Sequence, residues 1–191
     1  MRRLLMLLTI AIAVVSCSAP VAGEASPARQ GAEGTGDAGL PTRPRELPLD
    51  DVDPCALLTP TQRTDLGITS EPLPDTTDAP LFAGRTCSMT GFEPRDIGVS
   101  FALATGSGIA ELLAPGTLGD EVTPTTIAGF PAVIAKPELP NFCSVDVDVA
   151  EGQFLDVQFH DSGSEPPIPP DQLCRDAVRV AEAAMETLQR S

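Results

Sequence analysis

Five cysteines in 191 residues constrain this chain more than any other feature. An odd number cannot be consumed by internal pairs, so one cysteine must stand apart. Cys17 is that one, because it lies at the end of an N-terminal leader, far from the others. Cys55, Cys87, Cys143 and Cys174 remain, and four is an even number. If the chain is exported, two disulfides are the expected state, with three possible pairings. Pairing Cys55 with Cys87 and Cys143 with Cys174 would tie each terminal helix to a nearby strand. Pairing Cys55 with Cys174 and Cys87 with Cys143 would instead join helix to helix and strand to strand. The first arrangement is favoured. A zinc or redox centre is not expected, because no CxxC is present and there is one histidine.

The leader supports export. Arg2 and Arg3 precede a largely apolar run of 12 residues, Leu4 to Val15. A membrane-spanning helix needs about 20 such residues, and a secretory signal needs fewer. The run ends Val14-Val15-Ser16-Cys17, which resembles a bacterial lipobox. In lipoproteins of that kind the Cys thiol receives diacylglycerol and becomes the new N-terminus. Residues 1–16 are therefore expected to be a lipoprotein signal peptide, and Cys17 the lipidation site that ties the protein to the membrane. No later stretch approaches 18 apolar residues, so an anchored protein is expected rather than a spanning one.

Charge then excludes several partners. The chain carries 12 basic and 27 acidic residues, a net of −15. Loss of Arg2 and Arg3 with the leader leaves 10 basic residues against 27 acidic, a net of −17. Binding nucleic acid requires Lys and Arg to displace counterions, so no nucleic acid is expected. Docking on anionic lipid by charge is disfavoured for the same reason. Residues 17–49 contain no aromatic residue and no apolar periodicity, and are expected to form a disordered tether. Residues 50–191 are expected to form a single domain.

Within that domain the pattern is α+β. Asp53-Pro54 and Thr59-Pro60 each place a capping residue before a proline, which predicts two short helical turns, the second stopping at Gly67. Residues 70–84 contain three prolines and read as a loop. Strands are expected at 85–90, 97–104 and 129–134, with a short helix capped by Ser107. Cys143 to Val149 and Phe154 to His160 alternate apolar and polar residues around Glu151-Gly152. They read as a hairpin with one wet face. Leu173, Ala177, Ala181, Ala184 and Leu188 recur at helical spacing, so the final helix presents one stripe to the sheet. The expectation is an antiparallel sheet of about five strands packed against N-terminal and C-terminal helices and stapled by disulfides.

Catalytic patterns are scarce. His160 is the sole histidine, and its phase puts it on the polar face of the hairpin with Asp146, Asp148 and Asp156. That face is the place an enzyme would have to use. It lacks the spacing of a calcium loop, and Gly106-Ser107-Gly108 is an incomplete nucleophile elbow. No phosphate-binding glycine loop is present. The expected reading is a non-enzymatic domain with no cofactor and no metal. It would bind an unknown envelope protein or small ligand outside the membrane. A small-molecule or lipid carrier is one alternative, and an enzyme using the Asp-rich face is another.

A set of landmarks in fixed order carries a family resemblance. They are Cys17, Asp53-Pro54-Cys55-Ala56-Leu57-Leu58-Thr59, Cys87, Gly129-Phe130-Pro131-Ala132-Val133, Cys143-Ser144-Val145-Asp146-Val147-Asp148-Val149, and Cys174 opening an Ala-rich final helix. The chain resembles the actinobacterial lipoproteins grouped as domain of unknown function three-five-five-eight. One departure is Ser88-Met89 after Cys87, where that family often has a basic residue and Trp. The resemblance implies an exported, lipid-anchored α+β domain and no assigned activity.

Overall fold

Seven strands form one antiparallel sheet in this computed structural model, which describes residues 39–118, 121–138 and 141–191. The leader, the lipidation site Cys17 and the tether as far as residue 38 lie outside the described residues. The strands are β1 (Leu73–Thr77), β2 (Gly84–Gly91), β3 (Ile97–Ala104), β4 (Glu121–Ile127), β5 (Phe130–Lys136), β6 (Phe142–Ala150) and β7 (Gln153–Asp161). Their order across the sheet is β1-β2-β3-β7-β6-β5-β4. The β6–β7 hairpin read from the alternation is thus the middle of the sheet, with β7 at its centre. The helical elements are a 3-10 turn at Pro54–Ala56, α1 (Pro60–Asp65), α2 (Ile109–Leu112) and α3 (Pro170–Leu188).

The sheet has seven strands rather than about five, and the two extra strands are its edges. Leu73-Pro74-Asp75-Thr76-Thr77 falls in the segment expected to be a loop, and Glu121–Ile127 was not expected as a strand. Both are largely exposed and both contain a proline, Pro74 in β1 and Pro124 in β4. An edge strand buries no full face, so it shows no alternation. Proline is tolerated there and discourages pairing with a further strand.

One face of the sheet packs on α3. Leu173, Ala177, Ala181, Ala184 and Leu188 are all buried against Val145, Val147, Val157 and Phe101 in the main core. The 3-10 turn continues this layer along β2 and β3, and α1 follows it, with Gln62 Nε2 donating to the Ala183 carbonyl of α3 at 3.0 Å. Asp53 accepts a hydrogen bond from the Cys55 amide, and Thr59 and Gln62 form a reciprocal capping box. Cys55 is bonded to Cys87 on β2, with Cα atoms 5.2 Å apart. Cys143 on β6 is bonded to Cys174 on α3, with Cα atoms 4.9 Å apart. Each bridge therefore pins a helical element to the sheet.

The end of α1 meets the end of β2 backbone to backbone. Gly67 turns the chain with φ of +76°, and the amides of Thr69 and Ser70 both donate to the Thr90 carbonyl at 2.9 Å. A Cβ on Gly91 would lie 1.9 Å from the Gly67 carbonyl oxygen. Gly91→Ala is expected to cost about 2 kcal/mol, because backbone atoms must separate to admit the methyl group. Gly106 has open space around it, so Gly106→Ala is expected to be near neutral. Urea unfolding of the two variants measures the contrast, and equal midpoints would contradict it.

The second face is not wet. Leu40, Ala104, Ile109, Leu112, Val133 and Phe154 form a smaller buried cluster there, with the Phe82 ring set edge-on against Phe154 at 5.6 Å. The cover consists of α2, the Phe82 loop and residues 39–49. Those eleven residues were expected to belong to the disordered tether, but Leu40 and Leu49 are fully buried. The Leu47 amide donates to the Val149 carbonyl at 2.8 Å. The packed domain therefore begins before Asp50. Its first segment is an extended strap along β6, and an extended strap with prolines shows no helical or strand periodicity. Gly108 rather than Ser107 caps α2, and it makes no side-chain capping bond.

Candidate functional site

The polar residues of the second face are the chemistry-bearing group in the domain. Strand register places them in rows. Thr86, Ala102, Asp156, Asp146 and Val133 form one row from β2 to β5. Ser88, Ser100, Gln158, Ser144 and Ala135 form the next, and Gly98, His160 and Phe142 a third. The hairpin's polar residues do share a face, but the expectation of a wet one is overturned. Asp146 is 1 % exposed, Asp156 3 % and Asp148 7 %. Burying a carboxylate is costly unless it is paired or protonated.

Asp148 is paired. Arg43 on the strap donates from Nη1 to both its carboxylate oxygens, at 2.7 and 2.8 Å. The same guanidinium donates from Nε and Nη2 to Glu46 Oε1, at 3.0 and 2.9 Å. Glu46 in turn accepts from the Glu151 amide at 2.8 Å, closing the strap onto the β6–β7 turn. Burial works against the Arg43 charge, but its bonds to Glu46 and Asp148 outweigh that and hold it above its ordinary value. Burial still leaves the Asp148 carboxyl above the usual range, only partly offset by Arg43. These groups line a groove of about 580 Å³ together with Ile109, Glu111 and Gly152.

Asp146 and Asp156 are opposite one another across β6 and β7. Gln158 Nε2 also donates to Asp156 Oδ2 at 3.0 Å. Burial pushes the Asp156 carboxyl up to about 7, despite the hydrogen bonds from Asp146 and Gln158 that act the other way. His160 is four residues further along β7, about 13 Å at the usual strand rise. Its half-buried ring lies over Gly98, where a Cβ would come within 1.9 Å of Nε2. Burial lowers its pKa. The structure thus brings Asp146 and Asp156 together, commits Asp148 to Arg43, and leaves His160 in a separate row. Among the described residues, no group of three His, Cys, Asp or Glu side chains is placed to hold a metal ion.

Sequence reasoning missed Arg43 and Glu46. Both lie in the segment read as tether, and an arginine three residues before a glutamate was the available signal.

Residues 12–187 match the family described as protein of unknown function (DUF3558). The chain belongs to that family. The match covers the strap, the sheet, both disulfides and nearly all of α3. No characterised protein and no solved structure matches the chain. Among the described residues no helix is long and apolar enough to cross a membrane.

Proposed function

We propose that this family member is a cell-envelope lipoprotein, anchored through Cys17 on the extracytoplasmic side, whose domain binds a protein or ligand there without catalysing a reaction. The observation that carries this reading is the use of the cysteines. All four in the domain are bonded in pairs, and the fifth ends a short apolar leader. Two disulfides in a domain of this size suit an oxidising compartment. The surplus of acid keeps the domain soluble and away from anionic headgroups. The non-catalytic reading is supported by the distribution of the Asp-rich face. Asp148 is neutralised by Arg43, and the histidine is a row away from the carboxyl pair.

Replacing the anchor tests the location. Cys17→Ser, produced in the native host and fed labelled palmitate, is expected to lose the label and leave the membrane fraction. A labelled, membrane-bound Cys17→Ser protein would contradict the anchor. His160→Gln tests the chemistry, and it is expected to complement a deletion strain as well as the parent does. Failure of a folded His160→Gln protein to complement would favour an enzyme.

A further inference from the structure

Strand β1 ends the sheet on one side, and its residues are largely exposed. An antiparallel strand turns the backbone groups of alternate residues towards its neighbour and those of the residues between away from it. Pro74 stands opposite Cys87 and has no N–H, so that pair cannot exchange the two bonds of a hydrogen-bonded position. The backbones of Leu73, Asp75 and Thr77 therefore face β2, and those of Pro74 and Thr76 face outwards. Pro74 brings no donor to the outer edge. Thr76 has an N–H, but it donates to Oδ1 of Asp75 at 2.8 Å. The edge thus presents the carbonyls of Pro74 and Thr76 and neither of the matching donors.

A second copy of the chain is the partner to which these absences matter most. Two identical strand edges meet antiparallel about a two-fold axis. With the axis at Asp75, Pro74 of each copy lies opposite Thr76 of the other. That register calls for four hydrogen bonds, with two donors from each copy. All four donors are missing, because the prolines have none and the Thr76 amides are already used. The two Asp75 side chains would also stand directly opposite, with Cβ atoms about 5 Å apart, where like charges repel. The edge is otherwise suited to pairing. Leu73 is 64 % exposed, and the two threonines are β-branched.

We infer that Pro74 and Asp75 together close the β1 edge to a second copy of this chain. Proline removes one donor by its covalent structure. Asp75 removes the other by a hydrogen bond and adds a charge at the axis. Both side chains are exposed, and β1 is held by its ladder to β2, so neither residue is needed to keep the strand in place. The device concerns self-association, and it is independent of the lipid anchor and of any ligand.

Sedimentation of the full chain in excess detergent, over a concentration series, tests the inference. The parent is expected to remain a monomer. Pro74→Val with Asp75→Ala restores all four donors. Its mass is expected to double as the concentration approaches about 1 mM, where four ordinary hydrogen bonds begin to hold two chains together. Pro74→Val with Asp75→Asn is expected to stay monomeric, because an amide oxygen at that position still accepts the Thr76 N–H while carrying no charge. Equal association of the parent and the Val/Ala chain would overturn the inference, as would equal association of the Val/Asn and Val/Ala chains. Amide exchange in the monomer gives a second measure. The Thr76 amide of the parent is expected to exchange about fivefold more slowly than in Asp75→Ala alone, and equal rates would overturn the assignment of that amide to Asp75.

Discussion

Removing the Cys143–Cys174 bridge by Cys143→Ala and Cys174→Ala is expected to cost about 4 kcal/mol. The bridge closes a loop with a sequence separation of 31 residues. In the chain-entropy view a cross-link of that span restricts the unfolded chain by about that amount. For a domain of this size the unfolding temperature should drop by roughly 10–15 °C. The native state is expected to persist, because α3 keeps a stripe of buried residues against β6 and β7. Removing Cys55–Cys87, with a separation of 32, should cost a similar amount overall but have a different local effect. The 3-10 turn and α1 are short and bury little by themselves. Their amides should exchange faster in Cys55→Ala with Cys87→Ala, whereas α3 amides should change little. Denaturant unfolding under non-reducing conditions measures the first effect and hydrogen exchange the second. A loss below about 1 kcal/mol for either bridge would contradict its role as a staple.

Arg43→Ala is the second large expected effect, about 2–3 kcal/mol. Truncation leaves the Asp148 carboxylate nine-tenths buried with no counter-charge and unties Glu46 from the strap. Much of the cost is the burial of an unpaired charge rather than the loss of attraction. Asp148→Asn in the same chain should therefore recover about half of it, because an amide carries no charge to desolvate. The double-mutant cycle over Arg43 and Asp148 is expected to yield a coupling on the order of 1–2 kcal/mol. Acid should shrink the cost of Arg43→Ala, since Asp148 already sits above the usual carboxylate range and takes up its proton readily. Proteolysis should find new cleavage between residues 39 and 49. If Arg43→Ala is neutral and the strap remains protected, the strap is held by Leu40 and Leu49 alone.

The fold was legible where one face of an element is buried and the other is not. Leu173, Ala177, Ala181, Ala184 and Leu188 announce α3 because the helix has a single partner. Val99, Phe101 and Leu103 announce β3 by alternating with the smaller Ser100, Ala102 and Ala104, although that second face is covered too. Legibility failed at the edges, where β1 and β4 bury too little to alternate. It failed again on the hairpin's second face. Ser144, Asp146 and Asp148 alternate with valines as a solvated face would, yet they are covered. The cover is a four-residue helix and a strap of isolated leucines, neither long enough to show a period. Polar residues alternating with apolar ones report which face is less apolar, not which face meets water. The ion pair between Arg43 and Asp148 spans 105 residues of sequence, and no local pattern encodes it.

On the proposed reading the five cysteines divide into one lipid anchor and two staples. A peptide map of the protein isolated from its own envelope, alkylated before any reduction, tests it most directly. The account predicts linked peptides for Cys55 with Cys87 and for Cys143 with Cys174, no alkylated cysteine, and an N-terminal peptide beginning at diacylglyceryl-Cys17. Four alkylated cysteines in the domain, or an unmodified Cys17 within a longer N-terminal peptide, would contradict it.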